Sequence, residues 1–301
     1  MSRLAGRVAI VTGAGRGLGR AHARYLASQG AAVVVNDRGG DVHGRGDNLS
    51  PAETVVEAIR ADGGRAVASG HDVSDWDQAA ELVQQAVEEF GELHVLVNNA
   101  GILRDRTLAN MSESDWDDVL RVHLKGHAAP TRHAMAYWRA QAKAGHPLAA
   151  SVVHTTSIAA FAGNFGQANY TAAKSAVLGL SRVVALEGAK IGVRSNAVSP
   201  SARTRIMMTR PDDEPDDVAE WDPGDPLNPA NVSPLIGWLA EEKCPANAQV
   251  FHTYGNRVIV VTMPSIAADL RTEGRWTAEA LDEALPSRLL PLSELSDFLD
   301  V

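Results

Sequence analysis

Val8-Ala9-Ile10-Val11-Thr12-Gly13-Ala14-Gly15-Arg16-Gly17-Leu18-Gly19 joins a short apolar, β-branched run to a turn holding four glycines. The run reads as a buried strand, and the apolar spacing over 18–29 reads as the helix that follows. Glycines in such a turn let the backbone approach a diphosphate. The free N–H groups and the dipole at the start of the helix complement its charge. Gly13, Gly17 and Gly19, with Arg16 and Leu18 between them, are therefore candidate phosphate-binding residues. A merely tight turn would use glycines too, but its place after the first strand of an alternating pattern favours a dinucleotide.

Working outward, strand patterns recur at 32–36, 66–70, 93–98, 151–155 and 194–199, and helical patterns at 51–61, 76–90, 115–143 and 169–189. That alternation predicts an α/β fold, a doubly wound parallel sheet with helices on both faces. Ser50-Pro51-Ala52-Glu53 reads as a capping box, Ser74 with Asp77 and Ser112 with Asp115 as weaker caps, and Gly63-Gly64 as a stop. The predicted organisation is one domain over 1–254, with a lid at about 200–234 that is rich in proline and acid, and an extension over 255–301. Within the last part, 232–240 reads as helix, 249–253 as a final strand, and 257–263 as an apolar, β-rich run.

Two acids follow from this frame. Asp37 closes the second strand, where a carboxylate accepts the hydroxyls of an adenosine ribose and repels a 2′-phosphate, selecting NAD. Arg16 and Arg38 pull toward NADP, and Asp37 also suits a turn before Gly39-Gly40. Asp72, with Val73 beside it, ends the third strand within reach of an adenine amino group, or serves only as the neighbour of a helix cap.

Tyr170 and Lys174 lie one helical turn apart, so a cation stands beside a phenol and is expected to lower its pKa. Ser157 is 13 residues upstream of Tyr170, past the end of an apolar strand. Asn98-Asn99-Ala100-Gly101 ends the preceding strand in the same way. Strand C-terminal ends are where open α/β sheets place their chemistry.

Residues 12–19, Asn98-Asn99-Ala100-Gly101, Ser157, and Tyr170 with Lys174 together resemble the motif set of the short-chain dehydrogenase/reductase family, over Arg7 to about Phe251. The resemblance implies a Rossmann fold. It implies Tyr170 as general acid/base, Ser157 as holder of the substrate oxygen, and Lys174 as ligand of the nicotinamide ribose and acidifier of the tyrosine. It also implies Asn99, Ala100 and Gly101 as cofactor contacts. Where the family has an asparagine that completes a proton relay, this chain has His123, which a buried packing role explains equally well. Asn36-Asp37-Arg38-Gly39-Gly40-Asp41, the histidine in Val122-His123-Leu124, and residues 163–170 resemble one branch, the (3R)-hydroxyacyl-CoA dehydrogenase modules of peroxisomal multifunctional enzymes and their bacterial relatives.

The expectation is thus an NAD-dependent oxidoreductase interconverting a secondary alcohol and a ketone, with a (3R)-hydroxyacyl-CoA and 3-oxoacyl-CoA pair as substrate and product. An NADP-dependent 3-oxoacyl or steroid ketone reductase and a non-catalytic dinucleotide sensor are the alternatives. Arg203, Arg205 and Arg210, beside Ile206-Met207-Met208, suit coenzyme A phosphates and an acyl chain, or else neutralise the acids at 212–217. The ten histidines show no metal-binding spacing, and the lone Cys244 excludes multi-cysteine metal sites. A formal charge of −9 argues against nucleic acid, and no stretch is long enough to span a membrane. No secretory segment precedes the first strand, so the expected location is the cytoplasm. Apolar faces on the 115–143 and 169–189 helices suggest pairing into a homodimer or homotetramer.

Overall fold

The computed structural model describes residues 2–40, 46–203, 222, 224–262, 264, 266–272 and 275–290. The hydrophobic runs become strands, and those at the centre of the sheet are buried on both faces, as parallel sheets require. β1 (Val8–Thr12), β2 (Ala32–Asn36), β3 (Arg65–Ser69), β4 (Val95–Asn98), β5 (Ala150–Thr155), β6 (Val193–Ser201), β7 (Val250–Tyr254) and β8 (Arg257–Val261) form one sheet in the order β3-β2-β1-β4-β5-β6-β7-β8. All neighbours run parallel except β7 and β8. The strand order reverses between β1 and β4, and that switch point opens the crevice in which such sheets bind ligands.

Period-two alternation sends Ala9, Val11, Val33, Val35, Val95 and Val97 into one core and Val8, Ile10, Ala32, Val34 and Leu96 into the other. The first core is covered by α1 (Gly17–Ser28), α2 (Ser50–Ala61) and α8 (Ser233–Ala240). The second lies under α3 (Trp76–Phe90), α5 (Gly126–Lys143) and α7 (Ala168–Gly188). Among the described residues no helix is long and apolar enough to cross a membrane.

Three local expectations are corrected. The single helix expected over 115–143 is α4 (Glu113–Leu120), a π-helical turn (Arg121–Lys125) and α5. Ser50 does not cap α2: the N-cap position is Leu49, and the Ser50 N–H donates to Asn48 Oδ1 at 3.0 Å. Ser74 does not cap α3 either, because Asp75 accepts from the Asp77 and Gln78 N–H groups. The capping box of Ser112 and Asp115 forms as expected. The helix over 232–240 begins at Ser233 after a 3-10 turn (Pro229–Val232).

Candidate active site

The turn after β1 works by close packing. Gly13 has φ +62°, and a Cβ there would lie 2.7 Å from Ala100 Cα. A Cβ on Gly19 would lie 2.1 Å from the Gly13 oxygen, which no side chain tolerates. Gly13, Arg16, Gly17 and Leu18 line a cavity of about 460 Å³, whereas Gly19 lies behind them as a spacer. Thr12, which sequence reasoning passed over, clamps the next strand end: its Oγ1 accepts the N–H groups of Asn99 at 2.9 Å and Ala100 at 3.1 Å. Asn99 Nδ2 donates in return to the Thr12 and Gly13 carbonyls at 3.0 and 3.2 Å. Asn99, Ala100 and Gly101 thereby form the opposite wall of the same cavity.

At the other end of the cavity Asp37 is held rigidly. Its Oδ2 accepts the Gly15 N–H at 2.8 Å and its Oδ1 the Gly39 N–H at 2.6 Å. Arg38, a candidate for a 2′-phosphate, is already engaged with carboxylates, Asp72 at 2.8 Å and Asp47 at 2.5 Å. Asp72 and Val73 both line the cavity. Burial works to raise the Asp72 carboxyl, but hydrogen bonds from the Ser74 hydroxyl and N–H, with the charges of Arg38 and Arg121, hold it below its usual value. Arg121 joins this group from the π-helical turn, 3.8 Å from Asp72. Nothing in the strand pattern points to Arg121, since its helix stands apart from β3 in sequence.

The third wall carries the candidate chemistry. Ser157 follows β5 and precedes the short α6 (Ala159–Ala162), and Tyr170 and Lys174 are on α7. All three line the cavity together with His123 and the glycine turn. Ser157 stands beside Tyr170 as a hydrogen-bonding neighbour that favours the ionised phenol. Lys174 Nζ donates to the Thr155 carbonyl at 2.6 Å and lies 5.7 Å from the centre of the Tyr170 ring. Lys174 is only 2% exposed, and burial lowers its pKa to about 7. Any lowering of the Tyr170 pKa by Lys174 works against other influences on the phenol. Burial raises the phenol above its ordinary value, the nearby Asp105 carboxylate adds to the rise, and the hydrogen bond with Ser157 is what opposes it. A lysine that is half neutral near pH 7 exerts only part of a full charge on its neighbour.

His123 is buried, with its Nε2 3.1 Å from the Ile102 nitrogen and 2.8 Å from the Ile102 oxygen. Its ring stands edge-on to Tyr170, centres 5.1 Å apart. A Cβ on Gly101 would lie 2.4 Å from His123 Cε1, so this glycine makes room for the ring. Burial first, and the Lys174 charge second, keep the imidazole well below its usual pKa and hence neutral. Of the three arginines considered for coenzyme A, Arg203 pairs with Asp225 at 3.4 Å, while Arg205 and Arg210 lie outside the described residues. Met207, Met208 and the acids at 212–217 lie outside them as well.

The cradle that a Cβ at Gly13 or Gly19 would fill, and the carboxylate fixed at the far end of the cavity, fit a nicotinamide dinucleotide. Comparison with known proteins agrees. The short chain dehydrogenase family model matches residues 7–215. The hydroxyacyl-CoA dehydrogenase ChsB1 of Mycobacterium tuberculosis is 41% identical over 290 residues, covering 94% of this chain and 88% of that protein. Peroxisomal multifunctional enzyme type 2 of Mus musculus is 43% identical over 249 residues, 83% of this chain, and the match spans only 32% of the length of the mouse protein. The crystal structure of a short chain dehydrogenase from Mycobacterium avium superposes with a TM-score of 0.86 at 42% identity, covering 97% of this chain and 98% of that one. With sequence, sheet order and cradle in agreement, the chain belongs to the short-chain dehydrogenase/reductase family, oxidoreductases that bind a nicotinamide dinucleotide.

Proposed function

We propose that the protein is an NAD-dependent dehydrogenase that interconverts a (3R)-hydroxyacyl-CoA and the corresponding 3-oxoacyl-CoA. The observation that carries this reading is the meeting of Ser157, Tyr170 and Lys174 on a cavity whose other walls are the glycine turn and Asp37. Bound in that cavity, the dinucleotide supplies the hydride acceptor for oxidation and the donor for reduction. The glycine turn and the start of α1 hold its diphosphate, Asp37 its adenosine ribose, and Lys174 its nicotinamide ribose.

The protein's own residues manage the proton. Ser157 donates a hydrogen bond to the substrate oxygen, and Tyr170 as phenolate accepts the hydroxyl proton as the carbonyl forms; in reduction the phenol returns it. Lys174 in its charged form stabilises the phenolate, which burial alone disfavours. The preference for NAD rests on Asp37, whose carboxylate is fixed by two N–H groups, and on the engagement of Arg38 with Asp47 and Asp72. Support for the acyl-CoA substrate comes from the named activity of the 41% identical Mycobacterium tuberculosis relative. Val183 and Leu186, exposed on α7, support self-association through that helix into a homodimer or homotetramer.

The test is a pair of NAD and NADP titrations, followed by a substrate panel read at the nicotinamide absorbance. The panel compares a 3-hydroxyacyl-CoA with its pantetheine-truncated analogue and with a hydroxysteroid. A lower kcat/KM for the truncated thioester supports the coenzyme A reading. Equal rates with the truncated analogue, or a better steroid, overturn it, and tighter NADP binding overturns the assignment of Asp37.

A further inference from the structure

Asn169 immediately precedes Tyr170 and is wholly buried in the first turn of α7. Its carboxamide is engaged on both sides. Nδ2 donates to the Arg104 carbonyl at 3.1 Å and to the Asp115 carbonyl at 2.9 Å, while Oδ1 accepts the Tyr170 N–H at 2.7 Å. Arg104 belongs to the segment that leaves β4, and Asp115 to the first turn of α4. One side chain thus ties two separate segments to the backbone of Tyr170.

An ordinary helix cap needs only an acceptor. The N-cap position of α7, Gln167, supplies no side-chain cap, so Asn169 Oδ1 takes over one of the N–H groups that a helix start leaves unpaired. The two donor bonds go further, because both reach carbonyls outside α7. A second, exposed tier lies above this buried one: Arg106 N–H donates to the Gly166 carbonyl at 2.8 Å, and Gln167 Nε2 to Asp105 Oδ2 at 2.8 Å. Water competes for the outer tier and not for the inner one, so the inner tier fixes the geometry.

We propose that Asn169 is a positioning residue for the reaction: its two donor bonds pin the start of α7 to α4 and to the segment after β4, and so hold Tyr170 against Ser157 beside Lys174. The proposal rests on Tyr170 being the acid/base. Loss of the donor bonds frees the first turn of α7 to shift, and a displacement near 1 Å at a reacting group lowers the rate on the order of 100-fold.

The experiment compares the parent with Asn169→Ala and Asn169→Ser. Serine keeps an acceptor for the helix start and is too short to reach either carbonyl. Three readouts are taken on the full chain: NADH-binding stoichiometry by fluorescence, the pH profile of kcat for acetoacetyl-CoA reduction, and tyrosinate absorbance with the matching Tyr170→Phe background subtracted. The chain has only 4 tyrosines, so that subtraction isolates Tyr170 without any substrate. The expected result is full stoichiometry, kcat lower by roughly 10- to 100-fold, and ionisation of Tyr170 at higher pH, because a displaced phenolate loses both Ser157 and Lys174. Parent-like kcat and tyrosinate curves in the serine variant overturn the proposal. So does a loss of activity that merely follows a loss of binding stoichiometry, or a serine variant that does not fold, since either assigns Asn169 to folding alone. A fully active Tyr170→Phe variant overturns instead the reading of the site on which the proposal rests.

Discussion

Lys174→Met is expected to destroy turnover and at the same time to stabilise the cofactor-free protein. Burial of the ammonium lowers its pKa from the ordinary 10.5 to about 7. A difference of roughly 3.5 units corresponds to about 5 kcal/mol by which the folded state disfavours the charged lysine. Methionine has a similar length and no charge to desolvate. It leaves the Thr155 carbonyl without the Nζ donor now 2.6 Å away, which costs about 1–3 kcal/mol. The balance is a gain of about 2–4 kcal/mol, read as a shift of the urea midpoint or a rise of several degrees in Tm.

The pH dependence gives this prediction its force. Below pH 7 the lysine is charged in both folded and unfolded chains, and the parent carries the full penalty. Between pH 7 and the unfolded value of 10.5 the unfolded chain binds the extra proton, so parent stability rises with pH and the advantage of methionine shrinks. Above the unfolded value the lysine is neutral in both folded and unfolded chains, and the unpaired Thr155 carbonyl leaves the methionine variant the less stable of the two. Denaturation of both proteins at about pH 6, 8 and 10, without cofactor, tests this sequence. A methionine variant no more stable than the parent at the lowest pH, or an advantage that does not shrink with pH, refutes the claim that Lys174 is a strained, desolvated cation.

Other outcomes follow from the same site. Tyr170→Phe should retain NADH binding, measured by fluorescence, and lose turnover by on the order of 10²–10⁴. Asp37→Ala should weaken NAD binding by roughly 10- to 100-fold, as loss of charge-assisted hydrogen bonds worth about 1.5–3 kcal/mol implies, and relax discrimination against NADP in parallel titrations. Asp105→Asn keeps the acceptor for Gln167 and removes the charge that raises the Tyr170 phenol, so the limb of the kcat pH profile assigned to Tyr170 should move to lower pH. An unmoved limb would show that Asp105 does not act on Tyr170.

The layered α/β architecture was legible because β1 to β7 lie within a residue or two of the apolar runs that predict them, and strands buried on both faces leave an unbroken apolar signal. Caps were misplaced for a physical reason. Serine, aspartate and asparagine all accept an N–H, and the chain uses Asn48 and Asp75 where Ser50 and Ser74 stand close by. Contacts between distant segments left no local trace: Arg38 reaches Asp72 and Asp47 across the folded chain, and Asn169 reaches Arg104 and Asp115. The Tyr170 and Lys174 spacing was readable as a phenol beside a cation, yet spacing carries no measure of burial. Burial lowers the lysine and raises the tyrosine together.

His123 shows the same limit at one residue. The amphipathic pattern over 115–143 runs straight through it, as an unbroken helix would. In the folded chain its Nε2 meets the backbone of Ile102, its ring fills the space that Gly101 leaves, and the helix opens into a π turn from Arg121 to Lys125 at that place. Periodicity records which face of a helix is apolar. It does not record that a partner on another segment draws one ring out of register, and π turns of this kind recur where function makes such a demand. The turn also carries Arg121 to Asp72 at the end of the cavity that holds Asp37. A single irregularity of backbone thus places one side chain beside the nucleotide cradle and another against Tyr170.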